Sequence, residues 1–217
     1  MQLPDSFFNR DPAKIALGLL GKIIRRNYNG HWLAARIIET EAYYLSEKAS
    51  HASLGYTEKR KALFMPPGTI YMYYARGKDS LNISCRGKGN AVLIKSAHFY
   101  HDQHCDPAAL TIMQSLNPTT SGHARDINKL CSGQTLLCSS LDIRVTDWDQ
   151  KHFNAETLYI DDVGYKPASI IQTSRLGIPQ GRDENLLLRY IDQQYARFCT
   201  RNPLTQKNTD VKILNLK

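Results

Sequence analysis

The chain has 217 residues and a formal net charge of +8, which favours an anionic partner such as nucleic acid but also fits simple solubility. Its length suits one domain with its own core, and no apolar run approaches the roughly 20 residues of a membrane-spanning helix, so we expect no membrane partner. The odd number of cysteines, five, and the absence of a signal peptide predict reduced thiols. We therefore expect a protein that is not secreted and that lies in the cytoplasm with the nucleoid or in the nucleus, depending on its host.

The first third of the chain predicts a short helix, a hairpin and an aromatic strand. The pair Asp11-Pro12 opens a helix over 12–20, and Asn29-Gly30 joins strands at 22–26 and 31–43 in a tight antiparallel turn. Residues 45–60 are polar and irregular, which indicates a loop over the strand ends. A strand follows at 69–74.

The rest of the chain predicts more strands than helices. Strands are expected at 81–85, 91–96, 156–160 and 168–173, a helix at 106–116, helical pieces over 125–141 and a closing apolar run at 185–195. Because most strands are joined by turns, we predict an α+β fold: a curved, mostly antiparallel, open-barrel-like sheet with surrounding helices. We expect a monomer with one domain over 1–201 and a frayed polar tail over 202–217.

The stretch that carries most information is 36–43, with the sequence RIIETEAY. Strand alternation predicts that Ile37, Glu39, Glu41 and Tyr43 share one face. An unpaired carboxylate in a plain hydrophobic core is too costly to keep. This face is therefore either a solvated edge or a working cleft, and the strand alone leaves both readings open.

Aromatic and basic residues elsewhere favour the cleft. Rings at 43, 71 and 73 and the imidazole of His51 suit a planar ligand, and glycine turns carry basic side chains that suit phosphates. A nucleobase on its backbone is such a ligand. Packing of the rings and plain solvation of the charges are the alternatives. The basic residues of these turns are Arg76, Lys78, Arg86 and Lys88.

The sequence resembles the alkyladenine (3-methylpurine) DNA glycosylases over most of its length. Single pieces are weak signals, but their order and spacing together make chance agreement improbable. The pieces are FFNR at 7–10, LLGK at 19–22, RIIETEAY at 36–43, ASH at 49–51, FMPPGTIYMY at 64–73, LNIS at 81–84, AVLIK at 91–95, LCSG at 130–133 and RLGI at 175–178.

The resemblance implies a monofunctional DNA glycosylase. Such an enzyme flips alkylated purines out of double-stranded DNA and excises them by water attack at C1′, leaving an abasic site for base excision repair. 3-Methyladenine and 7-methylguanine are the expected lesions, with hypoxanthine and etheno-adenine left open because those neutral bases need an acid that the sequence does not identify. A lesion-recognising DNA-binding protein of the same fold with weak or no excision is the alternative, and a basic RNA-binding module is a third. No cofactor is expected.

The resemblance also ranks the two glutamates. Glu41 matches the general base that activates the water, while Glu39 has only its shared face to recommend it. Lys95 falls where an arginine commonly helps to hold that water, and a lysine keeps the charge but loses the fork of donors. The backbone near Leu176 is implied as a further contact of the water.

The base pocket is implied by five matches. Tyr43, His51 and Tyr73 correspond to its walls, and Tyr71 lies nearby as support. Asn82 corresponds to the residue that crowds the exocyclic amino group of guanine and so biases the pocket against that normal base.

Two departures concern the contact with DNA. Related proteins typically carry a tyrosine wedge just before a glycine, whereas alignment on Gly77 puts Arg76 there, with Tyr74 as its rival. The wedge fills the gap left by the flipped base. The second departure is the sequence QTL at 134–136, which replaces a usual proline and lysine.

A dense group of potential metal ligands lies at 98–106, outside the matched pieces. Two of its histidines are one helical turn apart, which could suit an ion, but the group lacks a partner pair at zinc-finger spacing. We therefore predict no metal. Its members are His98, His101, Asp102, His104, Cys105 and Asp106.

Overall fold

A computed structural model describes residues 1–207 and 209–216. Its helices are α1 (Pro12–Leu19), α2 (Ala109–Leu116), α3 (Gln134–Ser140) and α4 (Val145–Trp148). Its strands are β1 (Ile23–Tyr28), β2 (His31–Tyr43), β3 (Ile70–Ala75), β4 (Lys78–Ser84), β5 (Ala91–Phe99), β6 (Leu158–Asp161), β7 (Ser169–Thr173), β8 (Arg189–Asp192) and β9 (Val211–Asn215). Short 3-10 helices occupy 5–7, 51–54, 58–64, 193–198 and 203–205.

All nine of these strands form one antiparallel sheet, which does not close into a barrel. The order along its main path is β3-β4-β5-β2-β8-β7-β9, and β1 pairs with both β2 and β6. The predicted α+β class and antiparallel sheet are confirmed. Strand β2 has 13 residues and pairs with β1, β5 and β8, so it is the axis of the sheet.

Local signals in the sequence account for the first elements. Asn29 and Gly30 both have positive φ, 49° and 87°, as the tight hairpin turn between β1 and β2 requires. The Asp11 side chain accepts hydrogen bonds from the backbone N–H groups of Ala13 and Lys14, which caps α1. These two signals fix where the long central strand begins and how α1 approaches it.

The main hydrophobic core lies between the sheet and the helices. Ile15 and Leu19 of α1, Met113 of α2 and Leu137 of α3 are fully buried there. A smaller cluster under the 3-10 helices at 51–54 and 58–64 contains Leu63 and other buried residues that support the loop carrying residue 51. The side of the sheet that the main core does not cover is therefore the one available for a functional site.

The structure corrects two details. The tail expected to be frayed includes strand β9, which pairs with β7 from Ser169 opposite Asn215 to Thr173 opposite Val211. Alternation along β2 is interrupted because the pairing with β5 changes register between Ile37 and residue 40, and Ile37 packs in the main core instead of sharing the face of the glutamates. The described residues contain no helix long and apolar enough to cross a membrane.

Candidate active site

A single row across four strands brings the predicted site residues together. Tyr71 of β3 pairs with Asn82 of β4, Asn82 pairs with Leu93 of β5, and Leu93 pairs with Glu41 of β2. Directly opposed residues in an antiparallel sheet point their side chains to the same face. Residues separated by up to 52 positions in the chain therefore meet along one line.

Three residues of this row, Tyr71, Asn82 and Leu93, line a cleft of about 1000 Å³. The loop over 49–54 lies on one side and the loop over 176–182 on another, while the β3-β4 turn and the start of α3 complete the wall. A drug-sized or nucleobase-sized ligand fits such a volume. The lining includes the predicted residues Tyr43, His51, Tyr71, Tyr73, Arg76, Lys78, Asn82 and Lys95.

The Glu41 carboxylate lies beneath this cleft and has no exposed surface. Its Oε2 accepts a hydrogen bond of 2.6 Å from the Tyr43 hydroxyl. Its Oε1 is 3.5 Å from the Lys95 ammonium and 3.5 Å from the Leu176 backbone N–H. Lys95 and Leu176 both line the cleft, and each is 3.5 Å from Oε1, whereas Oε2 is engaged by the shorter hydrogen bond from Tyr43.

The Glu39 carboxylate is equally buried but has different partners. Its Oε1 pairs with Arg189 Nε at 2.6 Å, and its Oε2 accepts hydrogen bonds from Ser96 Oγ at 2.5 Å and the Thr200 N–H at 2.9 Å. Both oxygens are thus held inside the protein. The contacts of Glu39 therefore hold it in place inside the protein, whereas those of Glu41 are with groups that line the cleft.

Three aromatic rings pack against one another in the cleft. Tyr71 and Tyr73 are stacked with centroids 5.7 Å apart, and His51 meets the edge of Tyr73 at 4.4 Å. His51 Nδ1 is 3.1 Å from the Tyr71 hydroxyl oxygen. Partial burial of the imidazole, together with the positive charges of Arg60 and Arg182, lowers the pKa of His51, so the ring is neutral at neutral pH.

Tyr43 is fixed from both ends. Burial and the adjacent Glu41 raise the pKa of the Tyr43 phenol, so it remains a hydrogen-bond donor. The Arg175 guanidinium lies 4.5 Å from the centre of its ring. Arg175 also donates to the Ala42 carbonyl at 2.8 Å and forms a buried ion pair with Glu47. Arg175 therefore supports the strand end that carries Glu41 and Tyr43.

Two polar side chains at the floor are held in place by neighbours. Asn82 Nδ2 donates to the Tyr71 carbonyl at 3.2 Å, which leaves its Oδ1 as the acceptor available to a ligand. Lys95 Nζ donates to Gln134 Oε1 at 3.1 Å. Gln134 is the first residue of α3 and lines the cleft.

The residues predicted to contact DNA separate into two groups. Arg76 is exposed in the two-residue β3-β4 turn, with a positive φ of 52°, and lines the cleft together with Lys78. Tyr74 is 57% exposed but is not among the lining residues, as strand alternation after Tyr73 requires. The other two predicted basic residues, Arg86 and Lys88, are exposed in the turn over 86–90 and lie outside the cleft lining.

Three arginines near the cleft were not assigned a role from the sequence. Arg182 and Arg201 line the cleft, while Arg175 lies behind it. Arg182 lies directly after Gly181, much as Arg76 lies directly before Gly77. A basic residue next to a glycine is therefore the sequence signal that could have identified Arg182 as a candidate. The Arg182 Nε donates to the Lys48 carbonyl at 2.9 Å, which ties the 176–182 loop to the loop that carries His51.

Several of the potential metal ligands at 98–106 contact other side chains. Asp102 pairs with the buried Arg25 at 2.6 Å, and Asp106 pairs with His31 at 2.8 Å. His98 contacts the side chain of Asn128 at 3.2 Å. Over 1–207 and 209–216, no group of three or more histidine, cysteine or acidic side chains is arranged to hold an ion.

Comparison of the sequence with known proteins assigns the chain to a family. The sequence pattern described as methylpurine-DNA glycosylase (MPG) matches residues 6–196. The chain belongs to the methylpurine-DNA glycosylase family. A protein of Pseudomonas aeruginosa (strain UCBPP-PA14) named "Putative 3-methyladenine DNA glycosylase" is 60% identical over 93% of this chain and 84% of its own length. A protein of the same name from Pseudomonas syringae pv. syringae (strain B728a) is 61% identical over 93% of this chain and 91% of its own length. Another, from Koribacter versatilis, is 30% identical over 87% of this chain and 88% of its own length.

Proposed function

We propose that this methylpurine-DNA glycosylase family member is a monofunctional enzyme that excises alkylated purines from double-stranded DNA. The observation that carries the proposal is the Glu41 carboxylate beneath the aromatic cleft, with Oε1 turned towards two groups of the cleft wall, Lys95 and Leu176. Family membership and the names of the relatives support the same reaction class.

In the proposed reaction, Glu41 Oε1 accepts a proton from a water molecule while the water oxygen forms a bond to C1′ of the deoxyribose. The bond between C1′ and the purine nitrogen breaks, and its electron pair leaves with the base. The transition state carries positive charge on the sugar, which a nearby carboxylate stabilises. The products are a free purine and an abasic site.

The charge of the leaving base explains why alkylated purines suit this cleft. A purine alkylated at N3 or N7 is already cationic, so it departs as a neutral base without an acid. The neutral imidazole of His51 and the protonated phenol of Tyr43 offer such a cation rings without positive charge. Neutral hypoxanthine and etheno-adenine lack this advantage, and we expect their excision to be much slower.

Two further groups complete the proposed substrate site. The Asn82 side chain would crowd the exocyclic amino group of guanine sterically, which favours rejection of normal guanine. Arg76 at the hairpin tip would enter the base stack, since an arginine can both stack on bases and pair with phosphates. Lys78, Arg182 and Arg201 lie around the same opening and carry charge suited to the DNA backbone.

The proposal is tested with duplex DNA treated with a methylating agent. Wild-type protein should release free 3-methyladenine and leave strands that break only after alkali. Glu41→Gln should lose excision by a factor of about 100 or more, the usual scale for a general base. Glu156→Gln, which changes an exposed glutamate outside the cleft, is the matched control and should retain activity.

A second candidate function is lesion recognition with weak or no excision. The complete burial of Glu41 favours it, because a water molecule must enter between Lys95 and Leu176 before the carboxylate can act. Tight binding to duplex DNA containing an abasic analogue, without release of purine from methylated DNA, would select this function. Equal release by wild type and Glu41→Gln would remove Glu41 from its proposed role.

A further inference from the structure

The Lys95 side chain makes two contacts of different kinds within the cleft. Its ammonium donates to Gln134 Oε1 at 3.1 Å but remains 3.5 Å from Glu41 Oε1. A charge-assisted hydrogen bond between an ammonium and a carboxylate is normally about 2.7 to 2.9 Å long. The neutral amide of Gln134 thus makes the shorter contact with the ammonium. The ion pair between Lys95 and Glu41 lacks a short direct hydrogen bond, and we call it open.

Gln134 is well placed to hold the ammonium in this position. It begins α3 directly after Gly133, whose φ of 130° belongs to a region that side chains rarely adopt. Leu137 and Cys138 of the same helix are buried in the protein. The amide therefore projects from a packed element, whereas the four-carbon stem of Lys95 is flexible by itself.

The state of Glu41 depends on where that ammonium rests. Oε2 already accepts from Tyr43, so Oε1 is the oxygen left for a water molecule. An ammonium in direct contact with Oε1 would occupy the place of the water and stabilise the carboxylate charge, which makes the group a weaker base. An ammonium held slightly away can donate to the same water and leave Oε1 free.

We propose that Gln134 is a positioning residue that keeps the Lys95–Glu41 ion pair open for the attacking water. This inference rests on the proposed function, because it concerns the basicity of Glu41 during purine excision. It also gives a role to a residue at which this chain departs from the pattern that it resembles. Gln134 acts through its hydrogen bond with Lys95.

The test is single-turnover excision of 3-methyladenine from methylated duplex DNA by Gln134→Leu, which keeps side-chain bulk but removes the acceptor. We expect the rate to fall about tenfold, or about 1.4 kcal/mol in activation free energy. DNA affinity should stay within about twofold of wild type, because no contact with phosphate is removed. The loss should lie in the maximal single-turnover rate and not in the enzyme concentration that gives half of that rate.

Two further variants separate positioning from folding. Gln134→Glu keeps an acceptor at the same reach and should restore most of the rate. Gln103→Leu makes the same substitution at an exposed glutamine outside the cleft lining, and it should behave as wild type. All variants should melt at the wild-type temperature.

A Lys95→Met background shows whether Gln134 acts through the ammonium. There, Gln134→Leu should cause no further loss, and an equal loss in both backgrounds would overturn the inference. If Lys95→Met has no measurable rate, Gln134→Glu decides: a rate restored towards wild type supports the inference, and a rate as low as that of Gln134→Leu overturns it. A wild-type rate in Gln134→Leu overturns the inference alone, whereas a wild-type protein that releases no base overturns the proposed function and the inference together.

Discussion

Glutamine substitutions at the two buried glutamates of β2 should have opposite effects, and Glu39→Gln is the more demanding prediction. Glu39 faces Arg189 Nε with one oxygen and the Thr200 N–H and Ser96 Oγ with the other. Whichever way a glutamine amide is turned, its NH₂ group meets a donor. Arg189 is 1% exposed, so its positive charge would stay buried without a carboxylate.

Removing one partner of a buried ion pair typically costs about 3 to 5 kcal/mol. For a chain of about this length, each kcal/mol lowers the melting temperature by about 2 to 4 °C. Glu39→Gln should therefore melt about 6 to 20 °C below wild type. Glu41→Gln should melt close to wild type, because the ammonium of Lys95 reaches the cleft and can be solvated there.

The assay combines thermal melting by circular dichroism with base release at a temperature well below both transitions. Under those conditions Glu39→Gln should retain most of its excision activity, and Glu41→Gln should retain almost none. The reasoning would be refuted by a Glu39→Gln variant that melts like wild type. It would equally be refuted if Glu41→Gln were destabilised as strongly as Glu39→Gln.

The β3-β4 turn, Asp102 and the cysteines each give a further prediction. Arg76→Ala should weaken excision from duplex DNA more than from single-stranded DNA, whereas Tyr74→Ala should affect both little; a rate ratio that does not change in Arg76→Ala would contradict the proposed wedge. The hydrogen bond from Arg25 lowers the pKa of Asp102 to about 2, so its stabilising effect exists above the unfolded pKa of about 4 and is lost as pH falls towards 2. Urea unfolding of wild type and Asp102→Asn should therefore converge over this range, and a difference that stays constant down to pH 2 would count against it. Burial raises the pKa of each cysteine thiol, and the five are Cys85, Cys105, Cys131, Cys138 and Cys199. A thiol reagent at neutral pH should therefore label the native protein slowly and the urea-unfolded protein fully. Rapid labelling of the native protein would contradict these buried positions.

Departures from the sequence-based expectations have identifiable physical causes. The alternation rule failed at Ile37 because the register between β2 and β5 changes just beyond it, and such an irregularity carries no local sequence signal. Strand β9 was missed because its exposed, partly charged sequence resembles a solvated tail, and only pairing with β7 makes it a strand. The Arg175–Glu47 pair joins residues 128 positions apart, which no local pattern predicts.

The sequence by itself determined the antiparallel character of this protein, since turn dipeptides such as Asn29-Gly30 act over a few residues and need no tertiary context. It also supplied the ordered pieces of the family pattern and the candidates Glu39 and Glu41. Only the tertiary structure distinguished those two carboxylates, because the character of a buried charge depends on its partners. Glu39 meets Arg189 inside the protein, whereas Glu41 meets Tyr43 and the open ion pair with Lys95 beneath the cleft.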